Sequence, residues 1–273
     1  MRRVFITIVV ILSLAAGSTS ALEAPARLSE GLGGAVVISN PTAGDCLNTP
    51  GIMKDRNGGS VELGYRRQFE MSALDDRSVS AMLRRGRLGF AAGLSQFGQS
   101  ELYAETRLHG AAAITWRRWS LGLAGTAMLV EFGGPHDKVW TSSLDVGATM
   151  TWGRGLLALS INDLMRPRLT DRVDQLPPRL SLYGELIGSG AYSTLARVTV
   201  QNDQRPQFAV GQALFVSDYA WLLWSVSTAP TRYGGGLQVS RGALRLSWVT
   251  SYHPDLGFSY TAGLSFDFRA SKP

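Results

Sequence analysis

Apolar and polar residues alternate along three consecutive stretches between residues 103 and 152. In the first stretch, Leu108, Ile114 and Trp116 share one parity, whereas Arg107 and His109 share the other. Such alternation places the two sets on opposite faces of a β-strand. Each stretch is longer than the five or six residues usual for strands of soluble proteins. Strands of about twelve residues, tilted by ~40°, rise roughly 30 Å, which matches the hydrocarbon thickness of a bilayer.

Aromatic residues lie at the ends of these stretches, as in the girdles of outer-membrane barrels: Tyr103 and Trp116, Trp119 and Phe132, Trp140 and Trp152. The pattern predicts an all-β fold, a transmembrane antiparallel β-barrel of about fourteen strands over residues 58–268, in the outer membrane of a Gram-negative bacterium. Short turns after even-numbered strands would place both termini in the periplasm. The alternative is a secreted soluble β-sandwich, whose strands would be shorter.

The first residues have the features of an export signal. Arg2 and Arg3 precede an apolar run over residues 4–16, and Ala21 ends a small-residue cleavage site, which predicts a signal peptide over residues 1–21. The apolar run is short for the alternative, a retained anchor helix. Residues 22–57 are rich in glycine and proline, have no clean period, and predict a plug-like segment in or near the lumen. Residues 269–273 form a short tail.

The polar parity of the predicted strands would face the lumen, as in barrels with polar interiors. The lumen-facing candidates on this basis are Glu62, Arg66, Arg107, His109, Arg117, Asp145 and Arg197. Trp221 and Trp224 have opposite parity on one strand, so one of them would face inward, where apolar cargo could touch it.

Candidate chemistry is sparse. No nucleophile motif accompanies any of the three histidines, so a barrel hydrolase is not expected. The single cysteine, Cys46, excludes an internal disulfide and a cysteine-based zinc site. Asp163, Asp171 and Asp174 could offer oxygens to calcium, but arginines in the same loop neutralise them. We therefore expect no enzyme activity, metal or cofactor. The modest net charge of +6, with arginines at predicted turns, does not favour nucleic acid as a partner.

Three short motifs carry a family resemblance. The first is GLGGA at residues 31–35 with NTPGI at residues 48–52, including Asn48, Pro50 and Gly51. The second is the loop that begins at residues 160–167 and re-enters a strand at residues 176–180, and the third is YHPDLG at residues 252–257. These motifs resemble the PorV/PorQ-like proteins, which belong with the FadL-type transporters of hydrophobic compounds. The chain departs from the first motif at Thr49, where that family tends to have alanine.

The resemblance implies a non-enzymatic outer-membrane barrel that passes or binds hydrophobic small molecules, with the N-terminal segment partly plugging the lumen. PorV and PorQ proteins themselves serve protein secretion and surface attachment as partners and not as pores. The alternative is therefore an accessory barrel that holds a secreted protein partner with its long loops. Outer-membrane lipid is a partner under either hypothesis.

Overall fold

The computed structural model describes residues 29, 34, 37, 39–53, 58–133, 138–167, 176–188, 192–202 and 204–269. The predicted signal peptide, most of residues 22–38, the end of the predicted tail and the loop residues Asp171 and Asp174 lie outside the described residues. Among the described residues, no helix is both long enough and apolar enough to cross a membrane.

Fourteen antiparallel strands form a closed barrel, each paired with its neighbours in sequence and β1 with β14. The prediction of an all-β barrel of about fourteen strands is thereby confirmed. The strands are β1 (Gly58–Arg67), β2 (Asp75–Arg85), β3 (Leu88–Gln99), β4 (Tyr103–Trp116), β5 (Trp119–Phe132), β6 (Val139–Trp152), β7 (Gly155–Asn162), β8 (Arg179–Ile187), β9 (Tyr192–Gln201), β10 (Gln207–Ser217), β11 (Ala220–Ser227), β12 (Arg232–Arg241), β13 (Leu244–His253) and β14 (Gly257–Arg269).

Tight turns join the strands at one end of the barrel, which we call the short-turn end. They follow even-numbered strands, and several begin with glycine at a positive φ, such as Gly86 (+62°) after β2 and Gly242 (+62°) after β12. Glycine suits these positions because two-residue hairpin turns require left-handed backbone conformations. The opposite end carries the longer connections, which follow odd-numbered strands, and we call it the long-loop end.

The outer face of the barrel is apolar. Ile114, Leu121 and Leu123 are each about half exposed, at 53%, 57% and 49%. These side chains therefore cover the outside of the wall and do not pack into a protein core. Exposed tryptophans lie at the strand ends, with Trp116, Trp119 and Trp152 at the short-turn end and Trp140 at the long-loop end. This band bounded by aromatic residues is the surface that a spanning barrel presents to lipid.

Candidate functional site

The lumen holds part of the N-terminal segment. Residues 39–53, which we call the plug segment, contain one short helix, α1 (Ala43–Asn48), followed by a 3-10 helix (Pro50–Ile52). The helix begins with a capping box, in which the Thr42 hydroxyl accepts from the Asp45 backbone N–H and the Asp45 carboxylate accepts from the Thr42 backbone N–H. Cys46, Leu47 and Ile52 are buried against the inner faces of the strands.

Small residues on the inner wall make room for the plug segment. A Cβ atom on Gly122 of β5 would lie 2.3 Å from the backbone carbon of Pro50, and one on Gly93 of β3 would lie 2.7 Å from Leu47 Cδ1. Around these glycines the wall is lined with alanine, which leaves similar room: Ala91, Ala111, Ala113, Ala124 and Ala158. This seat is shaped for the plug backbone, because almost any larger side chain would collide with it.

The motif residues of the plug segment make its closest approach to the wall. The Asn48 carbonyl accepts a hydrogen bond of 3.0 Å from the Asn162 side chain. Pro50 lies against Gly122, and a Cβ atom on Gly51 would lie 2.9 Å from the backbone of Ala148. Thr49, at the position where the sequence departs from the family motif, is fully buried.

Polar side chains from several strands also hold the plug segment. The contacts, with the wall residue given first, are Glu185 accepting from the Ser39 backbone N–H (2.7 Å) and hydroxyl (2.6 Å), Glu62 accepting from Gly44 N–H (3.2 Å), Arg84 donating to the Met53 carbonyl (3.1 Å), Asn162 donating to the Asn48 carbonyl (3.0 Å) and Arg245 donating to the Asn40 side chain (3.2 Å). The segment is thus tied to strands on several sides of the lumen.

Burial changes the chemistry of the plug segment. Burial raises the pKa of the Asp45 carboxyl above its ordinary value, because the hydrogen bonds from Thr42 offset only part of the cost of desolvating the charge. Burial likewise raises the pKa of the Cys46 thiol, and the nearby carboxylates of Asp45 and Glu62 add to that effect. Cys46 is therefore an unreactive buried thiol while the plug segment is seated.

Above the plug segment, towards the long-loop end, the wall carries a charged layer. Arg66 pairs with Asp76 at 3.4 Å, and Arg107 Nε donates to Glu105 at 2.8 Å. The Tyr103 hydroxyl also donates to Glu105. The layer therefore contains two guanidinium groups and two carboxylates, and its charges balance.

The residue pairing between β3 and β4 shows where this layer lies along the inner wall. On β4 the inward positions run from Tyr103 and Glu105 through Arg107 and His109 to the alanines of the plug seat. On β3 the matching inward positions are Phe97, Ser95, Gly93, Ala91 and Gly89. From the long-loop end towards the short-turn end, the inner wall is thus lined first by aromatic and charged residues, then by polar residues, and then by small residues.

The other sequence-based candidates lie in different surroundings. His109 is buried, with Nδ1 2.9 Å from the Thr126 hydroxyl. Asp145 accepts a 2.8 Å hydrogen bond from the Asp163 backbone N–H and so holds the start of the β7–β8 loop. Arg197 faces inward, where a Cβ atom on Gly34 would collide with its guanidinium.

The prediction for Arg117 is wrong. This residue lies in the two-residue turn between β4 and β5, with a φ of +52°, and its side chain is exposed. Its guanidinium lies 5.5 Å from the centre of the Trp116 ring. The alternation pattern passed without a break from β4 to Arg117, so sequence parity assigned a turn residue to the lumen.

Sequence reasoning missed several residues that contact the plug segment or form the charged layer, among them Asp76, Glu105, Glu185 and Arg245. Glu105 has the parity of Arg107, so the alternation could have found it. The contacts of Glu185 and Arg245 join residues more than a hundred positions apart and leave no local signal.

Two apolar patches complete the lumen. Met128 and Val130 are fully buried, packed by Tyr103, Phe132, Val139 and Leu176. Leu176, which lies shortly before β8, therefore points inward. A second patch, packed by inward-facing Trp221, contains Val37, Leu195, Ala213, Leu223 and Val249. Trp224, on the same strand, faces outward.

Strand pairing does not extend along the full length of β6. The β6–β7 ladder ends at Val146–Ile161, although β6 continues to Val139 at the long-loop end. Beyond that pair, the described residues after β7 make only isolated contacts with β6, such as the hydrogen bond from the Leu164 N–H to the Leu144 carbonyl. The apolar patch around Val130 lies just inside this part of the wall.

Within the described parts of the chain, no group of three or more histidine, cysteine, aspartate or glutamate side chains could hold a metal ion. Several polar residues of the lumen instead bind the plug segment or one another. The arrangement offers apolar surface and hydrogen-bonding groups inside a closed wall.

No protein-family model and no curated protein matches this chain. Among solved structures, it is similar to the toluene transporter TodX of P. putida, with a TM-score of 0.66, 10% sequence identity, and 92% of this chain and 100% of that chain covered. It is also similar to a FadL homologue of Pseudomonas aeruginosa (TM-score 0.56, 12% identity, 89% and 96% covered). A third similar structure is the outer membrane protein Omp33 of Acinetobacter baumannii (TM-score 0.50, 10% identity, 78% and 98% covered).

At such low identities the likeness concerns the fold. A closed 14-stranded barrel with an apolar outer face, whose structural neighbours are outer-membrane proteins, is consistent with the outer membrane of a Gram-negative bacterium. The chain thus has the fold of the FadL-type hydrophobic transporters.

Proposed function

We propose that this protein is a non-enzymatic channel that carries small hydrophobic molecules across the outer membrane and that its plug segment closes the channel. The observation that supports this most is the seating of residues 39–53 across the lumen on small wall residues and polar side chains from several strands. The segment is held by apolar packing and hydrogen bonds and adds no strand to the barrel, so it can leave without opening the wall, whose ladder is closed without it.

The apolar patches favour hydrophobic cargo. A pore for ions or sugars needs a continuous polar lining, whereas this lumen contains Met128, Val130, Leu195, Leu223 and Trp221 on its inner face. These side chains can exchange contacts with one another for contacts with an apolar molecule at little cost in polar hydration. Toluene is a suitable probe, since the similar TodX is a toluene transporter.

A disulfide between plug and wall tests the gating role. The Met53 Cβ lies 3.1 Å from the position that a Cβ on Gly89 would take, a few tenths of an ångström short of the roughly 3.5–4.5 Å typical of disulfides. The locked variant carries Met53→Cys and Gly89→Cys in a Cys46→Ala background, which removes the native thiol. The matched control carries Gly89→Cys and Cys46→Ala alone and cannot form the bond.

Uptake of labelled toluene is measured in cells whose outer membrane contains each variant, relative to cells without the barrel. We expect uptake by the wild type and the control, loss of uptake by the oxidised locked variant, and recovery on reduction. Equal uptake by the locked and control variants would reject the gating role of the plug segment.

The same experiment addresses the accessory role in protein secretion. A wild-type barrel that gives no uptake above the background, yet co-purifies with a secreted protein, would reject transport and favour that alternative. The finer likeness to PorV and PorQ stays a prediction of the sequence motifs.

A further inference from the structure

Two polar side-chain atoms between the plug segment and the charged layer have no hydrogen-bond partner among the described residues. Among the described residues, none contacts His109 Nε2 or Ser95 Oγ within hydrogen-bond distance, although both atoms are buried. His109 is 4% exposed and Ser95 is 2% exposed. Buried polar atoms are almost always satisfied in folded proteins, so a pair of unsatisfied atoms needs an explanation.

The two side chains share one corner of the lumen. Gly93 pairs with His109 and Ser95 pairs with Arg107 across the β3–β4 ladder, so Ser95 and His109 are diagonal neighbours on the inward face. Such neighbours have Cβ atoms about 7–8 Å apart or less, a gap that a single bound oxygen atom can bridge. The hydrogen bond between Nδ1 and Thr126 fixes the imidazole, which leaves Nε2 for a ligand.

The surroundings define what such a ligand would carry. Next to this corner, towards the long-loop end, are aromatic rings in edge-to-face contact: Phe97 with Tyr103 at 6.3 Å and Tyr103 with Phe132 at 5.4 Å between centroids. Met128 and Val130 continue this apolar surface on β5. Aromatic rings favour these edge-to-face arrangements, so this surface suits contact with a small aromatic ring.

Because the charges next to this corner are already paired, the ligand group that binds there should be neutral. Arg107, beside Ser95 in the ladder, is already paired with Glu105, and Arg66 is paired with Asp76. A carboxylate on the cargo would therefore introduce an uncompensated charge at a buried position, which is costly. A hydroxyl group can both donate and accept, and so suits Ser95 together with either tautomer of His109.

We propose that Ser95 and His109 form a subsite for the hydroxyl group of a small neutral aromatic molecule, so that the channel prefers phenols to the corresponding hydrocarbons and carboxylates. This inference rests on the proposed function, because it names the class of cargo. The ring of the cargo lies against Phe97 and Met128 and takes the place of Leu176, while its hydroxyl lies between Ser95 Oγ and His109 Nε2. Leu47 of the plug segment, which packs on Gly93, bounds the subsite on the other side.

Three matched ligands test the proposal: 4-cresol, toluene and 4-toluate, which carry a hydroxyl, a hydrogen or a carboxylate on the same ring. Their affinities for the purified full-length barrel are measured by equilibrium dialysis against empty detergent micelles. We expect 4-cresol to bind roughly three- to tenfold more tightly than toluene, as for a modest neutral hydrogen bond, and 4-toluate to bind least.

Ser95→Ala removes one hydroxyl with little change in volume and should lower the affinity for 4-cresol about three- to tenfold while leaving toluene unchanged. His109→Gln is a second variant with the same expectation. Ser181→Ala on β8, whose hydroxyl bonds to Thr199, is the matched control and should alter neither ligand. Folded barrels change their electrophoretic mobility on heating, and this shift verifies that each variant is folded.

The proposal is overturned when the wild type binds toluene as tightly as 4-cresol, or when Ser95→Ala weakens both ligands alike. Either result leaves toluene uptake by cells intact, so the proposed transport function survives it. Absence of toluene uptake above background in cells is the separate result that rejects transport.

Discussion

Neighbouring residues of β5 meet very different demands on the two faces of the wall. Leu121 and Leu123 point outward and are about half exposed, whereas Gly122 between them points inward and lies against the backbone of Pro50. The outer position requires only that the side chain be apolar, because lipid chains adapt to its shape. The inner position requires a particular shape, because a fixed segment of protein packs there.

The comparison explains why the two faces differ in composition. The outer face repeats leucine, valine and aromatic residues along every strand. The inner face changes from glycine and alanine at the plug seat to hydroxyl groups and then to paired charges within a single pair of strands. The inner positions therefore differ in what they contact, and exchanging a residue of the plug seat with one of the charged layer would harm both contacts.

The largest effect should follow a charge on the outer face. Leu123→Arg places a guanidinium near the middle of β5 on the lipid side, and we expect it to lower the free energy of unfolding of the barrel by about 2–4 kcal/mol. Urea denaturation in lipid vesicles measures this loss. Leu123→Ala, which removes the side chain without adding a charge, is the control and should cost much less. An Arg variant as stable as the Ala variant would show that this face does not meet lipid.

Adding a single methyl group to the inner face should weaken the seating of the plug segment and leave the barrel wall intact. Gly122→Ala places a Cβ 2.3 Å from Pro50, and we expect the overpacking to weaken plug seating by roughly 1–3 kcal/mol. The rate at which a maleimide labels Cys46, the one cysteine of the chain, reports exposure of the plug segment and should rise about fivefold or more. Gly125→Ala is the matched control on the outer face, where the nearest atom would be 3.9 Å away. Equal labelling of the two variants would contradict the seat.

The smallest effect concerns pH. The seated plug segment has an Asp45 carboxyl with a raised pKa, so the seated state binds a proton more readily than the released state. This contribution to seating is present below the ordinary pKa of the carboxyl and is lost as pH rises through the raised value. We therefore expect the hydrogen-exchange protection factors of the Cys46 and Thr49 amides, which close the turns of α1, to be higher at low pH.

Asp45→Asn serves as the control for that measurement, since its carboxamide cannot titrate and can still accept from Thr42. Its protection factors should vary less with pH than those of the wild type. A wild type and an Asn variant with the same pH profile would assign the dependence to another group.

Much of the barrel follows from the sequence. The alternation around Leu108, Ile114 and Leu121 predicts strands that expose one apolar face, and the structure confirms it. The same parity places His109 and Arg107 on the inner face, where both are buried. Arg117 shows the limit of parity, because a strand and a tight turn can continue the same pattern of residue types while the backbone at the turn takes a left-handed conformation.

The contents of the lumen depended on the tertiary structure. Closing the barrel brings Glu185 to Ser39 and Arg245 to Asn40 across more than a hundred residues of chain, and a local pattern carries no record of such distances. The sequence by itself determined which face of each strand is apolar, because lipid imposes the same simple requirement at every outward position. Only the folded barrel decided which inward residues meet the plug segment and which, like Ser95 and His109, are left for another partner, because those pairings depend on strand order and register.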